Sequence, residues 1–255
     1  MDLSFNQTLA RAYTSNSQKI RVMSENWVAN SLFCPNCGAN KISQFDNNNP
    51  AADYFCKQCH EQYELKSKDG NLGTKIVDGA YQTMIQKVER GDNPNFFFMT
   101  YEKSTLTVKN LIIIPKHFFT HSIIERRTPL ADTARRAGWV GCNLLLNEIP
   151  NSGKIFVIQN TVVRPKNEVL SNWKKMLFLQ EESTQTKGWL LDMVAIIENM
   201  KKPIFSLNDI YAFETKLAQK HSNNRHIKAK IRQQLQILRD KNYLEFIGNG
   251  VYKVL

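Results

Sequence analysis

Asp53-Tyr54-Phe55-Cys56-Lys57-Gln58-Cys59-His60-Glu61-Gln62-Tyr63-Glu64-Leu65-Lys66 is the stretch from which the fold can be read. It holds one C-x-x-C pair, Cys56 and Cys59, and eighteen residues separate this pair from another, Cys34 and Cys37. Two such pairs at this spacing match a four-cysteine zinc ribbon. Each turn lets two thiolates face one ion, and Gly38 follows the first pair, where a tight turn needs a glycine. Four sulfur ligands leave no open position, so Zn²⁺ here is structural and His60 is a bystander. The competing reading is four buried free cysteines. A fifth cysteine, Cys142, stands alone.

The same stretch carries acids and a lysine in the order Pro50-x-x-Asp53-x10-Glu64-x-Lys66. Residues i and i+2 of a strand share a face, so Glu64 and Lys66 project together if 63–66 is a strand. Asp53 joins them if it lies on the neighbouring strand. Two carboxylates can hold Mg²⁺, which prefers hard oxygen ligands. Such a metal stabilises charge on a scissile phosphate and helps ionise an attacking water. Lys66 supplies a compact cation for that water or phosphate. A solvated strand face with the same letters would do none of this.

Outward from this segment, residues 17–30 show helical apolar spacing at Ile20, Met23, Trp27 and Val28. Residues 78–90 read as a second helix, with Ala80, Met84, Ile85 and Val88 inward. Residues 96–101, 111–114 and 155–158 are short apolar runs of the kind that make buried strands. Strands alternating with helices predict an α/β (mixed) core. Asp46-Asn47-Asn48-Asn49-Pro50 is turn chemistry.

A polar stretch, residues 181–188, separates two expected domains, 1–183 and 184–255. The second reads as three helices and a hairpin. Trp189, Leu190, Met193, Val194 and Ile197 outline the first helix, and Lys202-Pro203 ends it. Ser206 and Asp209 have the spacing of a capping box, followed by Ile210, Phe213 and Leu217. The third helix follows Asn223-Asn224 and buries Ile227, Ile231, Leu235 and Leu238. Its other face carries Lys228, Lys230, Arg232, Gln233, Gln236 and Arg239. Residues 244–247, Gly248-Asn249-Gly250 and residues 251–254 form a hairpin. This is a winged helix, whose third helix is the one expected in a DNA major groove. A winged helix that contacts protein instead would leave the basic face merely solvated.

The charge balance agrees with nucleic acid. The chain of 255 residues carries a formal +11. From Thr184 onward twelve Lys and Arg face six Asp and Glu, so this domain holds +6 of that excess. No apolar run approaches the roughly 18 residues of a membrane span. Met1-Asp2-Leu3-Ser4-Phe5-Asn6 lacks the basic-then-apolar pattern of a signal peptide. A cytoplasmic protein with no membrane partner is expected.

The chain resembles, along nearly its whole length, the methyl-directed type IIM restriction endonucleases of the PD-(D/E)xK class. The resemblance is carried by Cys34-Pro35-Asn36-Cys37-Gly38, Ala52-Asp53, Glu64-Leu65-Lys66-Ser67-Lys68, Asn93-Pro94-Asn95-Phe96-Phe97-Phe98, Thr133-Ala134-Arg135-Arg136-Ala137-Gly138-Trp139, His226-Ile227-Lys228 and Ile231-Arg232-Gln233-Gln234-Leu235. It implies a PD-(D/E)xK nuclease core with an inserted four-cysteine zinc site, joined to a winged helix. It implies a bacterial enzyme, a monomer in solution, that cuts double-stranded GATC containing N6-methyladenine. The catalytic set falls on Asp53, Glu64 and Lys66, and the Mg²⁺ ligands on Asp53, Glu64 and the Leu65 carbonyl. Ala52 stands where the class motif has proline. The resemblance brings Asn224 and His226, with Lys228, Arg232 and Gln233, to DNA. It also draws attention to Arg126, Arg127, Arg135, Arg136 and Trp139. Arginine suits guanine edges and phosphates, and a tryptophan face can cover a methyl group. A core tryptophan beside surface arginines is the plainer reading of that cluster.

Two other functions fit part of this sequence. A transcription regulator could combine a zinc ribbon with a winged helix, but it has no need of Asp53, Glu64 and Lys66. A nuclease of the same fold with another target would share all three.

Overall fold

The computed structural model describes residues 1–46 and 52–255. These form two compact units, Met1–Asn147 with Ser152–Leu177, and Glu148–Asn151 with Phe178–Leu255. Residues 178–183, expected with the first domain, group with the second unit. The Asn47–Pro50 part of the expected turn lies outside the described residues, and with it Pro50 of the carboxylate pattern.

The first unit runs α1 (Asn16–Ser31), β1 (Ser43–Gln44), β2 (Tyr54–Phe55), β3 (Gln62–Asp69), β4 (Lys75–Ala80), α2 (Tyr81–Arg90), β5 (Asn95–Glu102), β6 (Thr107–Ile114), β7 (Ile124–Arg126), β8 (Gly141–Leu145), β9 (Ile155–Gln159), β10 (Val162–Val163) and α3 (Lys166–Lys175). Among the described residues the main sheet has the order β1-β2-β3-β5-β6-β9-β10, and β4-β8-β7 form a second sheet. β3 and β5 pair in parallel, and β5 and β6 antiparallel. β5 is buried from Asn95 to Tyr101, so both of its faces are covered. That is why its sequence is a continuous apolar run and not an alternation.

One face of the main sheet carries the principal core. Met23, Trp27 and Val28 of α1, and Val169 and Trp173 of α3, cluster with Tyr63, Phe97, Met99, Leu111 and Val157. The Tyr63 and Phe97 rings stack at 4.7 Å. Truncating a ring so buried costs about 3–5 kcal/mol. The odd positions of β3 are thus committed: Tyr63 is fully buried and Leu65 packs against the cluster. Strand alternation then sends Glu64 and Lys66 to the opposite face, beside Phe96 and Phe98 of β5.

The expected helix over 78–90 begins only at Tyr81. Lys75–Ala80 is a strand whose Asp78 lies opposite Cys142 of β8. An aspartate before a helical stripe looks like a helix cap, but here pairing with β8 takes up the backbone groups. Val140 O accepts from the Tyr81 N–H at 3.1 Å, where the strand gives way to the helix.

The second unit runs α4 (Thr184–Met200), β11 (Ile204–Ser206), α5 (Leu207–Tyr211), α6 (Glu214–Lys220), α7 (Ile227–Asp240), β12 (Leu244–Gly248) and β13 (Val251–Val254). α4 starts inside the polar stretch read as a join, because Ser183 Oγ accepts from the Thr186 N–H at 3.2 Å and caps it. The Ser206–Asp209 capping box is present: Asp209 Oδ2 accepts from the Ser206 N–H at 2.7 Å, and Ser206 Oγ from the Asp209 N–H at 3.2 Å. The expected second helix is broken at Ala212-Phe213 into α5 and α6. Ile227, Ile231, Leu235 and Leu238 of α7 are buried, as their spacing requires. The β12–β13 turn uses positive φ at Gly248 (105°), Asn249 (49°) and Gly250 (72°). β11 adds a third strand, on β13, that the sequence reading missed. No helix among the described residues is long and apolar enough to cross a membrane.

Candidate functional site

The four cysteines meet. Cys34 and Cys59 Sγ lie 3.5 Å apart, Cys37 and Cys56 Sγ 3.6 Å, and all four sulfurs fall within 4.8 Å of one another. A tetrahedron of thiolates at zinc bond length has edges of roughly 3.8 Å, so the cluster is consistent with a zinc site. The two knuckles share one geometry. The Gly38 N–H donates to Cys34 O and the His60 N–H to Cys56 O, each at 2.9 Å. Gly38 and His60 occupy the same place in their turns, with φ of 80° and 59°. His60 therefore closes a turn and is not among the clustered ligands.

The Cys56–Cys59 knuckle spans the gap between β2 and β3. Tyr54 lies opposite Tyr63. Just before that pair the Asp53 N–H also donates to Tyr63 O, at 3.0 Å, which ties Asp53 to β3. The Leu65 N–H donates to Asp53 Oδ2 at 2.7 Å, which holds the carboxylate against β3. Lys66 Nζ lies 2.6 Å from Glu64 Oε1 and 2.6 Å from Asp78 Oδ1. Asp53, Glu64 and Lys66 are thus brought to one place. Asp53 and Glu64 offer hard oxygens for a divalent cation, and the Leu65 carbonyl lies between Glu64 and Lys66 in sequence.

Burial drives the electrostatics of this face. It raises the Glu64 carboxyl above its ordinary value, despite the pull of Lys66 in the other direction. Burial alone would lower the Lys66 ammonium, but Glu64 and Asp78 outweigh it and hold the group above the usual lysine range. Lys66 is therefore a fixed cation between two acids. Burial pushes the Cys142 thiol up to about 12, with Asp78 adding to it. Asp78 entered the sequence reading only as the first residue of an expected helix. The signal of a strand was the alternation of Ile76, buried, with Val77, exposed, just before that segment.

The candidate DNA-contacting residues fall in two groups, one in each unit. Arg126 ends β7, and Arg127, Arg135 and Arg136 are exposed on the segment leading to β8. The half-buried Trp139 lies at the end of that segment, with the Arg136 guanidinium carbon 4.5 Å from its ring centroid. A Cβ built on Gly141 would come within 2.8 Å of Trp139 Cη2 and Cζ3. The ring thus lies over a glycine that only a missing side chain makes available. In the second unit His226, Lys228, Arg232 and Gln233 are exposed at the start and along one face of α7. Asn224 Oδ1 accepts from the His226 N–H at 2.7 Å and shapes the turn before that helix. Arg232 donates to the Tyr211 hydroxyl at 2.8 Å.

Two family models match the chain. One, described as DpnI, the Dam-replacing family, covers residues 1–182, and the other, described as the Dam-replacing HTH domain, covers residues 185–254. Together they mark a restriction-type nuclease unit joined to a DNA-binding helix-turn-helix domain.

Proposed function

The chain belongs to the Dam-replacing family, and from that premise we propose that it is a methyl-directed type II restriction endonuclease. On this reading it cleaves double-stranded DNA at GATC containing N6-methyladenine by Mg²⁺-dependent phosphodiester hydrolysis. The observation that carries the reading is the convergence of Asp53, Glu64 and Lys66 at the β2–β3 pairing, with Asp53 clamped by the Leu65 N–H at 2.7 Å. A DNA-binding regulator would gain nothing from burying that set.

When bound, Mg²⁺ would stabilise charge on the scissile phosphate and lower the pKa of a water. Asp53, Glu64 and the Leu65 carbonyl supply its protein oxygens. Lys66 orients the attacking water or neutralises a phosphate oxygen, a role that suits a lysine held protonated by two acids. Trp139 presents its ring to a methyl in the major groove, and Arg126, Arg127, Arg135 and Arg136 contact base edges or phosphates. α7 enters a major groove with His226, Lys228, Arg232 and Gln233, while Asn224 holds the preceding turn.

The test pairs fully methylated with unmethylated GATC plasmids in Mg²⁺. Cleavage of the methylated plasmid alone is expected. Asp53→Ala, Glu64→Ala and Lys66→Ala should each abolish cleavage yet leave DNA binding largely intact, because these groups act on transition-state charge. Full cleavage by Asp53→Ala would exclude it from the site.

A further inference from the structure

Asp78 lies outside the carboxylate pattern of the sequence, yet its Oδ1 is 2.6 Å from Lys66 Nζ. Its side chain is 6% exposed, against 25% for both Lys66 and Glu64. A carboxylate so covered needs a cation to answer it, and Lys66 is that cation. The strand beneath fixes its place. Asp78 of β4 lies opposite Cys142 of β8, which lies opposite Arg126 of β7. Directly opposed residues share a face, so the second sheet holds Asp78, Cys142 and Arg126 in one row. A register shift between Asp78 and Ala80 interrupts the pairing beside the acid, and such bulges re-aim side chains. Cys142 is fully buried in the middle of the row, with its Sγ 3.5 Å from Gly79 O.

Glu64 also grips Lys66, but on the reading above it must share its oxygens with a metal. Asp78 stands on another sheet and is free of that competition. Resting on that nuclease reading, we propose that Asp78 is a positioning residue for Lys66. It ties the reacting lysine to the sheet whose β7–β8 connection carries the arginines and Trp139.

The test uses the full-length protein and a duplex carrying N6-methyladenine in both strands of one GATC site. Cleavage is followed in a single turnover at saturating enzyme. Asp78→Asn should slow cleavage by roughly tenfold or more, the scale on which misplacing a reacting group is felt. Its affinity for the duplex in Ca²⁺, and the Mg²⁺ concentration for half-maximal cleavage, should stay within about twofold of the parent on the same argument. Asp78→Glu keeps the charge and should restore part of the rate. If Asp78→Asn cannot fold, Asp78→Glu and Asp78→Ser carry the same comparison. A wild-type rate in Asp78→Asn overturns the proposal. So does a raised Mg²⁺ requirement, which would make Asp78 a metal ligand. Loss of duplex affinity or of cooperative thermal unfolding in every variant would assign a structural role and overturn it as well. Lys66→Ala separates the two levels. If that variant cuts normally the nuclease reading fails, whereas an inactive Lys66→Ala beside a fully active Asp78→Asn removes Asp78 alone.

Discussion

Gly141→Ala is the substitution that reaches methyl reading with the least chemical change. Gly141 does not have the positive φ that would forbid an alanine, so the backbone accepts one. Space does not, because the new Cβ would meet Trp139 Cη2 and Cζ3 at 2.8 Å. Ordinary contacts between such atoms begin near 3.4 Å, so the ring must recede by about 0.6 Å or more, and a gap of that order forfeits a large part of a contact. Arg136 stands over the same ring at 4.5 Å, so the displaced indole also disturbs its cationic neighbour. Overpacking costs about 1–3 kcal/mol where the ring cannot move, and less here because Trp139 is half-buried. Covering one methyl is worth about 0.8 kcal/mol, roughly fourfold, and two methyls roughly fifteenfold. The assay is kcat/KM on methylated and unmethylated duplexes of otherwise identical sequence, with a thermal scan to confirm folding. The methylated-to-unmethylated ratio should fall by about fourfold to fifteenfold on the same arithmetic, mostly through slower cutting of methylated DNA. Trp139→Ala should shift the ratio the same way. An unchanged ratio in a folded Gly141→Ala protein would refute the assignment of methyl reading to the Trp139 face.

Elemental analysis should find one zinc per chain, lost together with cooperative unfolding in Cys34→Ala or Cys56→Ala, because binding energy at such a site is folding energy; active protein free of zinc would end that reading. The Asp209 carboxyl is held well below its ordinary 3.8, first by the Lys202 hydrogen bond and then by Ser206. Its contribution to stability is therefore complete above the unfolded value and is lost as pH falls through it toward the folded one. Asp209→Asn should flatten the fall in thermal midpoint on acidification below about pH 4, and an unaltered acid limb would discount the capping carboxylate.

Where local chemistry decides the structure, the sequence could be read. The two C-x-x-C pairs, the capping box at Ser206 and Asp209, and the apolar stripe of α7 each specify their own geometry within a few residues. Glu64 and Lys66 were placed on one face by alternation alone, and the structure adds that Tyr63 and Leu65 take the core face. Asp78 was not legible, because what fixes it is pairing with Cys142, more than sixty residues away. The local letters there, an aspartate before Ala80, Met84 and Val88, suit a helix cap equally well. β11 was missed for a similar reason. It is three residues long and exists through its pairing with Lys253, Tyr252 and Val251. The role of Gly141 was equally hidden, since only the fold lays an indole over it.

The size of the methyl signal constrains how two units could share the work. One covered methyl gives roughly fourfold discrimination, too little to spare unmethylated DNA that carries the same four bases. A palindromic site methylated in both strands offers two methyls. Four covered methyls, two at each of two readers, sum to about 3 kcal/mol, or roughly two hundredfold. The +6 charge of residues 184–255 cannot supply that factor, because phosphate attraction is the same with and without the methyl. It raises affinity for every duplex equally. A second domain therefore sharpens a methyl-directed nuclease only if it reads bases as well as phosphates. The exposed face of α7, with Gln233 and Arg232 among its residues, has the side chains for that, since glutamine and arginine make the two-bonded contacts that identify adenine and guanine.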